Sequence, residues 1–177
     1  MKNGSDYAVS RKPEFLFDAI IFNKPKIVQS LIEMGVSANL VFDHSILQTL
    51  QGYTPLHVAV FFNRIEIAQI LIDLGADTEC QTASKMTPLQ LAYKVHLSSM
   101  CKSLIRMGAN KDARDMWNNT LLHYANAYNQ VDDVRFLLTC GASQNIKNDE
   151  GDKVLESSLK TKNQDIFKTI MYLSDVK

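Results

Sequence analysis

The side chains in this sequence best suited to chemistry are four histidines and three cysteines. His57 and His123 share a local context, each standing three residues after a threonine, Thr54 and Thr120. His44 and His96 have no partner in sequence. A metal centre would need several such ligands converging, and a general base would need a nucleophile to activate. No such grouping recurs near any of the four. Cys80, Cys101 and Cys140 are too widely spaced for a CxxC metal pair, and their odd number suggests no disulfide framework. A glycine-rich phosphate loop and a nucleophile elbow are both missing from the sequence. The expectation is a chain that is not an enzyme and has no cofactor, no metal site and three reduced thiols.

Bulk properties narrow the class further. Of 177 residues, 19 are basic and 19 acidic, giving a net charge of zero, and 46% are hydrophobic. That composition suits a folded chain and lacks the basic excess of a nucleic-acid binder. Apolar runs are short, as in Val58–Phe62, and fall far below the roughly 18 residues that cross a bilayer. Met1–Pro13 carries charges and no apolar leader segment. Neither nucleic acid nor membrane is expected as a partner, and the reduced thiols point to the cytoplasm or the nucleus.

The elements that position these residues repeat. Thr54-Pro55-Leu56-His57-Val58-Ala59 returns as Thr87-Pro88-Leu89-Gln90-Leu91-Ala92 and as Thr120-Leu121-Leu122-His123-Tyr124-Ala125, with a period of 33 residues. Sixteen residues after each alanine stands a glycine, in Gly75-Ala76-Asp77, Gly108-Ala109-Asn110 and Gly141-Ala142-Ser143. Apolar pairs precede them at Leu71-Ile72, Leu104-Ile105 and Leu137-Leu138. Threonine suits a helix N-cap, and proline suits the first helical turn, whose N–H groups have no helical partner. Leu56 and Ala59 should face inward. A second helix near Ile65–Leu74 places Ile67, Ile70, Leu71 and Leu74 at helical spacing, and Gly75 ends it.

A 33-residue period opening on Thr-Pro-Leu-His and closing on Gly-Ala-Asp resembles the ankyrin repeat. Two degenerate units flank the three clear ones. In front, Ala19 and Gly35 keep the sixteen-residue spacing around Leu31-Ile32, with Glu14-Phe15 in place of Thr-Pro. Behind, Gly151 lies three periods after Gly52, and Leu155, Ile166 and Phe167 continue the apolar pattern. The resemblance implies an all-α fold, an ankyrin-repeat solenoid of about five helix-turn-helix units with hairpin loops and degenerate terminal units as caps. Residues 1–12 form an N-terminal arm and 13–174 a single repeat domain, with units near 13–40, 50–82, 83–115, 116–148 and 149–174. Seven extra residues fall at about 41–48 as an enlarged hairpin loop. The polar run Lys160-Thr161-Lys162-Asn163-Gln164-Asp165 suits a capping unit.

The resemblance further implies a protein–protein interaction module, monomeric when unbound, that binds a partner protein in a concave groove as adaptor or inhibitor. Inhibitors of cell-cycle kinases, inhibitors of Rel-type transcription factors, and viral or bacterial mimics of either, delivered into a host cell, all fit. A fragment of a larger scaffold is an alternative that the start at Met1 and the polar final unit disfavour. In the family, hairpin tips and the exposed side of each first helix carry the binding surface. Carried over by position, these are Ile21 and Phe22; Leu50, Tyr53, Phe61 and Phe62; Met86, Lys94 and Val95; and Met116, Trp117, Asn119 and Tyr128. Unit five contributes only Asp149, Glu150, Asp152, Lys160 and Thr161. Aromatic and Met side chains are enriched at interface centres, so one apolar groove over units one to four with a polar edge at unit five is expected. Phe61, Phe62, Trp117 and Tyr128 are its anchors. The same resemblance gives His57 and His123 a structural role, bonding neighbouring backbone. Asn145, eight residues after Leu137, matches the asparagine that an oxygen-dependent hydroxylase modifies in many ankyrin proteins, although Ser143-Gln144 departs from the usual acidic-aliphatic pair.

Overall fold

A computed structural model describes residues 12–42, 52–160 and 163–175. Among these residues lie ten helices in five successive pairs: α1 Lys12–Ile21 and α2 Pro25–Glu33, α3 Pro55–Phe61 and α4 Ile65–Asp73, α5 Pro88–Lys94 and α6 Ser98–Arg106, α7 Leu121–Ala127 and α8 Val131–Thr139, α9 Val154–Lys160 and α10 Gln164–Asp175. This is the all-α arrangement of helix-turn-helix units that the repeat implies.

Local sequence explains each pair. Thr87 begins α5 with a reciprocal cap: the Gln90 N–H donates to Thr87 Oγ1 at 3.3 Å, and the Thr87 N–H donates to Gln90 Oε1 at 2.9 Å. Two otherwise orphaned donors of the first turn are satisfied together. Ala59, Ala92 and Ala125 are fully buried, as a small residue must be where helices approach closely. The turn between the two helices of a pair passes through the left-handed region at Asn23, Asn63, His96 and Asn129, with φ between 53° and 58°. Three of the four are asparagine, the residue that tolerates this region best after glycine. The second helix α4 buries Ile67, Ala68 and Leu71 on one face, then ends at Gly75, whose φ of 91° an L side chain resists.

By contact the chain divides into two compact units, with the boundary between Asn110 and Lys111. Within the first, α1 packs on α3 and α3 on α5 in a row of first helices, while α2 packs on α4. Each first helix also packs on its own second helix. Within the second, α7 packs on α9 and α8 on α10, in the same two rows. The apolar faces that no lone helix pair could bury are thereby covered.

Hairpins join the pairs. The Thr82 N–H donates to the Met86 carbonyl at 3.0 Å, Asp115 to Asn119 at 3.1 Å and Asn148 to Asp152 at 3.1 Å. Each bond spans four residues. The corresponding bond at the front runs from the Phe42 N–H to the Tyr53 carbonyl, at 2.9 Å, and spans eleven. The seven extra residues therefore fall inside this hairpin. Residues 43–51, which hold most of the expected insertion, lie outside the described residues.

The hairpin tips share a left-handed position at one-period intervals: Gly52, Lys85, Asn118 and Gly151. At Gly52 an added Cβ would come within 2.7 Å of the Ala83 nitrogen. Lys85, at φ 56°, is the misfit of the set. Lys85→Gly is expected to raise stability by about 0.5–1 kcal/mol, net of the extra unfolded-state freedom of glycine. A shift of the urea midpoint measures it, and an unchanged or lower midpoint contradicts it.

Candidate functional site

The side chains expected to meet a partner separate into exposed and covered groups. Phe22 is 69% exposed, Phe61 42%, Met116 56%, Trp117 54% and Tyr128 56%. Ile21, Phe62, Met86 and Val95 are half-buried, and Lys94 is exposed. Tyr53 departs from expectation, since it is buried. Its ring leans on His57 at 5.5 Å and on Phe61 at 6.3 Å. Phe61 meets Phe62 edge-on at 5.3 Å. Leu50 and Thr161 lie outside the described residues. Ile21, Phe22, Phe61, Phe62, Met86 and Val95 belong to the first compact unit, and Met116, Trp117 and Tyr128 to the second.

The two motif histidines are wired into backbone. His57 Nδ1 accepts the Thr54 N–H at 3.3 Å, and Nε2 meets the Met86 carbonyl at 3.0 Å across to the next hairpin. The carbonyl can only accept, so Nε2 carries the proton and the ring is neutral. Burial pushes the His57 pKa down to about 4, against a smaller upward pull from the Met86 bond. His123 repeats the pattern, with Nδ1 accepting the Thr120 N–H at 3.2 Å and Nε2 facing the Asp152 carbonyl at 3.3 Å. Burial lowers its pKa too, opposed by its bond to the Asp152 carbonyl and by the Asp115 and Asp152 charges.

In the second compact unit, Asp115 organises the hairpin tip that presents Trp117. Its Oδ1 accepts the Trp117 N–H at 2.9 Å and the Asn119 N–H at 2.8 Å, and Oδ2 accepts the Tyr124 hydroxyl. Tyr124 stacks on Tyr128 at 6.2 Å. Burial and the Asp115 bond push the Tyr124 phenol well above its ordinary value. The next hairpin is tied on: Asn118 Nδ2 donates to Asp149 Oδ1 at 2.7 Å, the Asp149 N–H donates to the Trp117 carbonyl at 3.1 Å, and Asn148 Nδ2 donates to Asn119 Oδ1 at 3.2 Å. Between them opens a cleft of about 300 Å³, walled by Trp117 and Tyr124 and edged by Asn119, Asp149, Glu150 and Ser157. Tyr124 was not among the expected residues. It occupies the register of the buried Val58 and Leu91, and its hydroxyl is the signal that this position reaches a polar neighbour.

A second series also went unread at the sequence level. Asn39, Glu79 and Asp112 stand in one register, and each accepts a backbone N–H from the following repeat: Asp77 at 2.7 Å, Asn110 at 2.9 Å and Ser143 at 2.8 Å. Asn145 is the next member of this register and is exposed.

Among the described residues, no group of three or more His, Cys, Asp or Glu side chains could hold a metal ion, and no helix is long and apolar enough to cross a membrane. Cys101 is buried, and Cys80 and Cys140 are half-buried, all three as free thiols.

Paired short helices, Thr-capped first turns and histidine-tied hairpins define a class of repeat protein. A family model described as "Ankyrin repeats (3 copies)" matches residues 3–82, 74–148 and 91–177, and the chain belongs to the ankyrin-repeat family. It is 31% identical over 128 residues to human Neurogenic locus notch homolog protein 1, covering 72% of this chain and 5% of that protein. It is 32% identical over 121 residues to the Xenopus laevis protein of that name, covering 68% and 4%. It is 35% identical over 108 residues to Putative palmitoyltransferase ZDHHC13 of Danio rerio, covering 60% and 17%. The chain thus spans less than a fifth of the length of these relatives. Ankyrin repeats are generally protein–protein interaction modules and typically non-catalytic.

Proposed function

We propose that the chain is an adaptor or inhibitor that docks a segment of a partner protein on its exposed aromatic and methionine side chains. The observation that carries this reading is the exposure of Phe22, Phe61, Met116, Trp117 and Tyr128, all on hairpin tips or first-helix ends. Side chains of these types gain most from desolvation at an interface, and water gains from their removal. With equal numbers of acidic and basic residues, association depends only weakly on salt unless a local charge intervenes. The same reading places the chain in the cytoplasm or nucleus, where three free thiols stay reduced. It keeps Asn145, exposed in the register of Asn39, as the position for hydroxylation.

An affinity pull-down with wild type and the Phe61→Ala/Trp117→Ala double variant, read by mass spectrometry, identifies a partner retained only by the wild type. Against that purified partner, Phe61→Ala and Trp117→Ala should each weaken binding by more than about 2 kcal/mol. Unchanged affinity in both single variants removes this surface from consideration.

A further inference from the structure

We infer that the cleft beside Trp117 is a socket for a basic side chain, arginine before lysine, on the docked partner segment. The inference rests on the docking reading above and names the chemistry of one contact within it.

The walls supply the first reason. Two aromatic residues, Trp117 and Tyr124, and two acidic residues, Asp149 and Glu150, line the cleft together with His123. No lysine or arginine lines the cleft. Lys160, which feels both Asp152 and Glu150, is bonded to Asp152. A cation entering between the rings and the two acids therefore meets attraction from both and competition from no lining lysine or arginine, and His123 is bonded to the Asp152 carbonyl with its pKa lowered by burial. An apolar side chain would gain the rings and pull water from the acids without replacing it. An acidic side chain would be repelled.

Rigidity is the second reason. The Trp117 main chain is fixed through its N–H on Asp115 and its carbonyl on the Asp149 N–H. Asp149 is oriented by Asn118, leaving Oδ2 for a ligand, and Asn119 is held by Asn148 and Asp115. Asp115 itself is spent on three internal bonds and belongs to the frame. A site so tied loses little freedom when it is filled. Tryptophan is the strongest ring partner for a cation. Guanidinium combines a flat face for the indole with a fork of donors for a carboxylate, which ranks arginine above lysine.

Trp117 is the single tryptophan of the chain, so fluorescence excited selectively at tryptophan, beyond the absorption of the six tyrosines, reports from the wall of this cleft. The probes are end-blocked Gly-Ser-X-Ser-Gly peptides with arginine, lysine, norleucine or glutamate at X, titrated into the full chain. The arginine peptide should give a saturable change that weakens as salt is raised, with lysine weaker and norleucine and glutamate flat. Asp149→Asn/Glu150→Gln should weaken the arginine response by at least about fivefold, and Glu150→Gln alone, at an exposed side chain, by less. Asp132→Asn, on α8, should leave it unchanged. A norleucine response equal to that of arginine overturns the basic socket while the apolar docking surface stands. No saturable arginine response, or one indifferent to both acidic-edge variants, also overturns it. Failure of the docking reading would show elsewhere, as unchanged partner affinity in Phe61→Ala and Trp117→Ala.

Discussion

Replacing Leu104 with alanine is expected to destabilise the protein by about 3–4 kcal/mol, read as a fall in the urea midpoint at unchanged slope. Leu104 is fully buried on α6, in the register that Leu71 fills on α4 and Leu137 on α8. Losing its isopropyl group removes apolar surface from the interior and leaves a void. The flanking first and second helices are each packed on neighbours within their unit, so the void cannot readily collapse. A change to methionine, which conserves volume, should stay below about 1.5 kcal/mol. Met34→Ala, at an exposed side chain ending α2, serves as the reference for a surface truncation. A Leu104→Ala effect no larger than that reference would contradict the buried register.

Acid should weaken the fold through His57, by about 3 kcal/mol between pH 6.5 and pH 4. The folded pKa, about 4, lies below the ordinary 6.5 of an unfolded chain. Above pH 6.5 both states are neutral, and the contribution is fully present. As pH falls toward 4, the unfolded chain takes up a proton that the folded chain refuses, so stability falls with it. The refusal is caused by burial: the fully buried ring would carry its charge without water, and the bond to the Met86 carbonyl offsets only part of that cost. His57→Gln isolates the effect, because Gln90 already performs the same cap at the equivalent position of α5. The variant should remain folded at pH 7 and show a shallower loss between pH 6.5 and 4 than wild type. Parallel stability curves for the two proteins would refute the assignment.

Much of this fold was legible because its determinants are local. Thr54, Thr87 and Thr120 announce helix starts, Gly75, Gly108 and Gly141 announce ends, and the 33-residue spacing fixes the pairing. The second helix expected over Ile65–Leu74 is Ile65–Asp73, with Leu74 as its cap. The surface was legible only in part. Tyr53 and Phe61 are both aromatic and both near a first helix, yet one is buried and one exposed. Which of them faces out depends on the ring geometry around His57, and a repeat pattern does not encode that. The frame around Asp115 was hidden for a related reason. Its bonds to Trp117, Asn119 and Tyr124 need the hairpin to close first, and no spacing in sequence announces a carboxylate with three donors. The ladder through Asn39, Glu79 and Asp112 escaped because its members differ in type while sharing a register.

That ladder, like the histidine ties to Met86 and Asp152, grips main-chain atoms of the following repeat. A carbonyl is present on every residue, and an N–H on every residue but proline. The joints between neighbouring repeats therefore demand little of the residues they grip beyond excluding proline at a donor, and Met86 or Ser143 can be exchanged for another non-proline residue without losing the bond. Mutation is thus free to rewrite the outward-facing side chains one repeat at a time, so a scaffold of this kind can drift from one partner to another without first unlearning how to fold.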